Sequence, residues 1–137
     1  MTIVLFLSGI SQGQEEEGSP VDLAVIEMEV EFRDQGLTET EINNIEGPLK
    51  TMLFAGADAE DVKDAVTELK ELGLKGRVLS DTVYSMSQLV SIGDSAKEAA
   101  KFVSDAAIEA MDRGISGRNL AIEIEKKVMK KAEELQR

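Results

Sequence analysis

The chain has 137 residues, 42% apolar and 31% charged, with four Phe, one Tyr and no Trp. This is the composition of one globular domain whose core must be filled by aliphatic side chains. A net charge of −12 excludes the counterion-displacing contacts that hold nucleic acid and disfavours an anionic membrane surface, while suiting a soluble monomer.

At the start stands an apolar run, Ile3 to Leu7, extended to Ile10 and too short to span a bilayer. Ser11-Gln12-Gly13 puts small residues at the −3 and −1 positions of a cleavage before Gln14, the order of a secretory signal peptide. No Lys or Arg precedes the run. The expectation is a signal-peptide remnant over 1–13 and an exported, periplasmic or extracellular protein, against the alternative of a first element buried in the fold. Residues 14–19, with Glu15-Glu16-Glu17, read as an acidic linker. No integral membrane segment is expected in the mature chain.

From Ser19 onward every segment reads as helix, in a single domain over 20–137. Ser19 caps a helix opening at Pro20, with Asp22 at the capping-box place. Thr38 and Glu41 form a T-x-x-E box for a second helix, and the rhythm Ile42, Ile45, Leu49, Met52 runs through it. Pro48 lies inside that rhythm and predicts a kink or short break. Asp58 and Asp61 start a third helix, with Val62, Ala65, Val66, Leu69 and Leu72 on one side. A fourth uses Leu79, Val83, Met86 and Val90. Asp94 or Ser95 starts a fifth, striped with Ala96, Ala99, Ala100, Val103, Ala107 and Ala110, through which another helix can approach closely. Ser116 starts the last, with Leu120, Ile124, Val128 and Leu135. The spacings are three and four, the helical period. Gly36, Gly56, Gly73, Gly93 and Gly114 stand where a left-handed residue closes each helix.

Those glycines also repeat. Gly36 and Gly73 are 37 apart, as are Gly56 and Gly93, and Gly73 and Gly114 are 41 apart, about one helical turn more. The shift of 37 superposes Val25 on Val62, Met28 on Ala65, Phe32 on Leu69, Ile42 on Leu79, Leu49 on Met86 and Leu53 on Val90. Leu120 takes the place of Leu79 in the longer step. The chain therefore reads as all-α, three helix hairpins over 20–55, 57–92 and 94–135. Each is too small to bury its apolar side alone. A short α-solenoid and a compact closed bundle both satisfy the pattern.

Chemistry is harder to find. Cys and His are absent, which removes disulfides, thiol nucleophiles, Cys/His zinc sites and the usual side-chain proton shuttle. "GLKGRVLS" lacks the glycine spacing and Lys of a phosphate-binding loop. "DAEDVKDAVTEL" has neither the Gly nor the final Glu of a calcium loop. No cofactor, metal or catalytic residue is assigned. Nearly every acid fits an outer helical face. Glu29 is the exception, at the position equivalent to Val66. Arg77 and Arg118 each follow Gly in the repeated turn, near a helix start, where a cation opposes the macrodipole. They read either as an anion or partner contact beside free N–H groups or as ion-paired or solvated side chains. Lys126, Lys127, Lys130 and Lys131, interleaved with Glu, read as a solvated face. Met28, Met52, Met86, Met111 and Met129 suit either an adaptable groove or the core.

The turns "GLTETEI", "GLKGRVL" and "GISGRNL" share G-[LI]-x-x-x-x-[LI] and resemble those of uncharacterised, exported bacterial helical-repeat proteins, over residues 36 to 125. The resemblance implies an envelope or secreted α-helical module and carries no active-site residue over to this chain. The first expectation is a non-catalytic interaction module for an unknown protein partner, binding along the turns or on the stacked second helices of the hairpins. An acidic holdase-like chaperone is the second. A carboxylate-based cell-wall hydrolase is the third, requiring two acids roughly 5 to 9.5 Å apart in a cleft.

Overall fold

The computed structural model describes residues 19–137. The expected signal remnant and residues 14–18 of the acidic linker lie outside the described residues. Six helices follow: α1 (Pro20–Asp34), α2 (Glu39–Phe54), α3 (Ala59–Glu71), α4 (Gly76–Ser91), α5 (Ala96–Asp112) and α6 (Gly117–Leu135). The chain is all-helical over this range, and none of these helices is long and apolar enough to cross a membrane.

The helices start and stop by local chemistry. Hydroxyl or carboxylate oxygens of Ser19, Thr38, Asp58 and Ser95 accept the backbone N–H three residues on, each cap contributing about 1 kcal/mol. Ser95, not Asp94, therefore begins α5. The first five helices end alike. At the first junction Gly36 N–H donates to the Arg33 carbonyl and Leu37 N–H to the Phe32 carbonyl, the paired bonds of a Schellman ending. The same pair recurs at Gly56, Gly73, Gly93 and Gly114. With Gly36, these glycines have φ between 83° and 118°.

Two features differ from the sequence reading. Ser116 occupies the cap position of α6 but its side chain makes no capping bond; the helix begins instead at Gly117 with φ +59°, and α4 begins the same way at Gly76, also at +59°. The recurrent G-x-x-G of "GLKGRVL" and "GISGRNL" is thus two left-handed residues, one closing a helix and one opening the next. Pro48 makes no break, since α2 runs unbroken from Glu39 to Phe54. The carbonyl that loses its donor there is that of Asn44, an exposed residue, so water can satisfy it. Gly47 before the proline has no Cβ to clash with its ring.

Packing forms two rows. α2, α4 and α6 lie side by side as one row, with the most extensive contacts in the molecule, and α1, α3 and α5 form the other. The central helix α4 also packs on α5 more than on its own hairpin partner α3. Its buried face therefore extends almost round it, and Ser80, Thr82, Ser85 and Ser87 are buried there beside Leu79, Val83, Met86 and Leu89. The hydroxyls of Ser80, Thr82 and Ser87 donate to carbonyls three or four residues back in α4, so these small polar residues fill the helix contacts without an unpaired donor. The core superposes as the repeat requires: Val25, Phe32, Ile42, Leu49, Val62, Leu69, Leu79, Met86 and Leu120 are all buried. Leu135 departs from its expected place and is 42% exposed.

Candidate functional site

The row of α2, α4 and α6 carries a concave surface. A groove of about 480 Å³ runs between α4 and α6. Arg77, Asp81 and Tyr84 line it from α4, and Arg118, Ile122 and Glu125 from α6. They meet because positions i, i+4 and i+7 of a helix share a face and the two helices are neighbours in one row. A shallower groove of about 370 Å³ between α2 and α4 is lined by Asn44 and Pro48 and shares Arg77 and Tyr84. The ridge Arg77–Asp81–Tyr84 thus separates two grooves. Tyr84 is 53% exposed and Ile122 37%, so an aromatic ring and a β-branched side chain face solvent in the groove, with two guanidinium groups at the turn end.

The electrostatics at that end are uneven. The guanidinium of Arg77 lies 3.7 Å from the Asp81 carboxylate in its own helix, with 87% of the Arg77 side chain exposed, an arrangement that contributes little to stability. Arg118 has no carboxylate within ion-pair range among the described residues. Neither arginine is tied to a neighbouring hairpin.

Beside Arg77 an anion is already in place, supplied by the chain. Glu41 is buried at 7% exposure. One of its oxygens accepts the Thr38 N–H at 2.8 Å, and the other accepts the Gly76 N–H at the start of α4. Burial acts to raise its pKa, but the Thr38 and Gly76 N–H groups, the Thr38 hydroxyl and the charge of Lys70 outweigh it and hold the carboxyl below its ordinary value. The T-x-x-E box foretold the first of these bonds. The second required the first and second turns to be stacked, which no local pattern reveals, and it corrects the expectation that the acids lie on outer faces. The position 37 residues after Glu41 is Val78, so the start of α6 receives no equivalent carboxylate.

Glu29 sits half-buried at the α1–α2 seam. Desolvation and the nearby charge of Glu46 raise its pKa, against the opposing charges of Arg33 and Lys50. Its Oε2 is buried and has no hydrogen-bond partner. Of the methionines, Met28, Met52 and Met86 are core, Met111 is partly buried, and Met129 is 58% exposed. Lys127 pairs with Glu109 of α5, and Lys131 stands 5.7 Å over the Phe102 ring. The basic residues of α6 therefore act partly as ties to α5 as well as a solvated face.

A scan against protein-family models gives no match to this chain, and searches of curated proteins and of solved structures give none either.

Proposed function

We propose that the protein is a non-catalytic interaction module of the bacterial envelope or secreted space, and that it holds a protein partner in the groove between α4 and α6. The observation that carries this reading is the groove itself: Tyr84 and Ile122 exposed on its walls, with Arg77 and Arg118 at one end. Aromatic and arginine side chains are the residues on which protein contacts concentrate their energy. The grooves lie on the row of stacked second helices, a surface that a helical-repeat protein presents as a continuous strip. The two arginines favour a partner with carboxylates at the turn end, within a molecule whose net charge of −12 otherwise repels acids.

The test is a crosslinking pull-down from the native envelope with the wild-type chain, Tyr84→Ala and the double variant R77E/R118E. Tyr84 and both arginines are surface residues, so folding should be unchanged by circular dichroism. Loss of the same captured protein with both variants supports the reading. Capture that survives both variants, or no capture by the wild type, removes it.

A further inference from the structure

Among the described residues, the first helix presents an apolar stripe on which no other helix packs. On α1, Leu23, Ile26 and Val30 are 51%, 55% and 52% exposed, and at spacings of three and four they form one continuous strip. The shift of 37 that aligns the hairpins carries them onto Glu60, Lys63 and Thr67 of α3. Those α3 positions form the contact with the preceding repeat: Lys63 lies 3.2 Å from Glu31 of α1, and the Thr67 hydroxyl donates to Gln35 at 3.1 Å. The stripe on α1 is therefore the receiving face for one more helix in the row. On α3 that face is polar, yet on α1 it is apolar. A contiguous exposed apolar strip marks an interaction surface.

Charge selects the occupant. Glu27 and Asp34 border the stripe on the α3 side; on the α2 side Arg33 is paired with Glu39 and Asp22 with Lys50. A second copy placed face to face would set these acids against each other. A second copy placed head to tail would bring up α5, whose equivalent positions are Asp105 and Glu109, both exposed and paired with Lys101 and Lys127. That polar end does not complement an apolar strip. We infer that the stripe of Leu23, Ile26 and Val30 docks an amphipathic helix of a protein partner, with apolar residues at three- and four-residue spacing flanked by Lys or Arg. The helix would extend the row of α1, α3 and α5, a helix-on-helix mode of recognition. This face is separate from the α4–α6 groove, so the two surfaces can be tested independently.

The probe is a synthetic helical peptide of about five turns with a Leu stripe flanked by Lys. It is titrated by fluorescence anisotropy against the full chain, with a Glu-flanked peptide and a Leu-scrambled peptide as controls. The Lys-flanked peptide should bind with micromolar Kd. The Glu-flanked and scrambled peptides should bind at least about tenfold more weakly, a loss near 1.4 kcal/mol. I26D should weaken binding by a similar factor while keeping the wild-type Tm, and Y84A should leave it unchanged. Binding should fall with added salt. Equal binding of the Lys- and Glu-flanked peptides, binding that survives I26D, or no binding overturns the proposal. Since the chain has no Cys, I26C gives a unique thiol. Slow labelling of I26C in the full chain that becomes fast once residues 1–13 are removed would show the chain's own start on the stripe. A dimer abolished by I26D would show a second copy there. Either result also overturns it.

Discussion

Replacing Glu41 with Gln tests whether one buried carboxylate ties the first turn to the second. Wild-type Glu41 accepts two backbone N–H groups, from Thr38 and Gly76. Gln keeps the shape but offers one oxygen, so its amide NH₂ must face one of those N–H donors. The loss is one charge-assisted hydrogen bond, since Thr38 and Gly76 are both exposed and water can take up the freed N–H. Hydrogen bonds to charged groups contribute about 1.5–3 kcal/mol. The expected loss is therefore about 2 kcal/mol at pH 7, or roughly 6–10 °C in Tm for a domain of this size. The pH dependence has a definite sign. The folded pKa of Glu41 is lowered, so its contribution is fully present above the unfolded value, about 4.3, and is lost as pH falls through the folded pKa. Urea unfolding of wild type and E41Q, followed by circular dichroism from neutral to acid pH, should show the gap between them closing in acid. Amide exchange should be faster at Gly76 in the variant. A loss below about 0.5 kcal/mol at pH 7, within the range of an ordinary surface change, or a gap that persists below the folded pKa, would refute the argument.

At the α1–α2 seam the sign reverses. The folded pKa of Glu29 is raised, so its ionised form costs stability at neutral pH, and E29Q should stabilise by about 0.5–1 kcal/mol there. That gain should fade as pH falls through the folded pKa, as read from the same urea series. G117A should destabilise by about 1–2 kcal/mol, the cost of a left-handed alanine. A Cβ there meets nothing within 4 Å, so the cost is conformational alone, and thermal unfolding of G117A beside wild type measures it. P48A should stabilise by about 2 kcal/mol: alanine is about 3 kcal/mol better than proline inside a helix, and roughly 1 kcal/mol is returned by the freer unfolded chain. A denaturant midpoint that falls instead would mean that Pro48 is held by contacts in the α2–α4 groove.

The six helices could be read from the sequence because each carries its own instructions. Ser19, Thr38, Asp58 and Ser95 bond within one turn of themselves, and the closing glycines bond within six residues. The registers of Val25 with Val62 and Ile42 with Leu79 were visible for the same reason, since helical period and repeat length fix which side is apolar. Pro48 brings no break because the carbonyl it leaves without a donor belongs to Asn44, whose exposure follows from the packing of α2. The groove was legible in part. Arg77 and Arg118 stood out as odd residues at helix starts, but Tyr84 and Ile122 looked like any others until α4 and α6 were set side by side.

What the sequence determined alone is the rods, their ends and their oily sides, through interactions that span a turn or a repeat. The tertiary structure decided how the rods lie. α4 is central because its small Ser and Thr residues let helices close on it from several directions, and Glu41 reaches Gly76 because stacking brings residues 35 apart in sequence into contact. The bareness of Leu23, Ile26 and Val30 is a property of the same stack. The equivalent face of α3 packs on α1 through Lys63 and Thr67, and only the stacking of the described helices shows which of the two faces is covered.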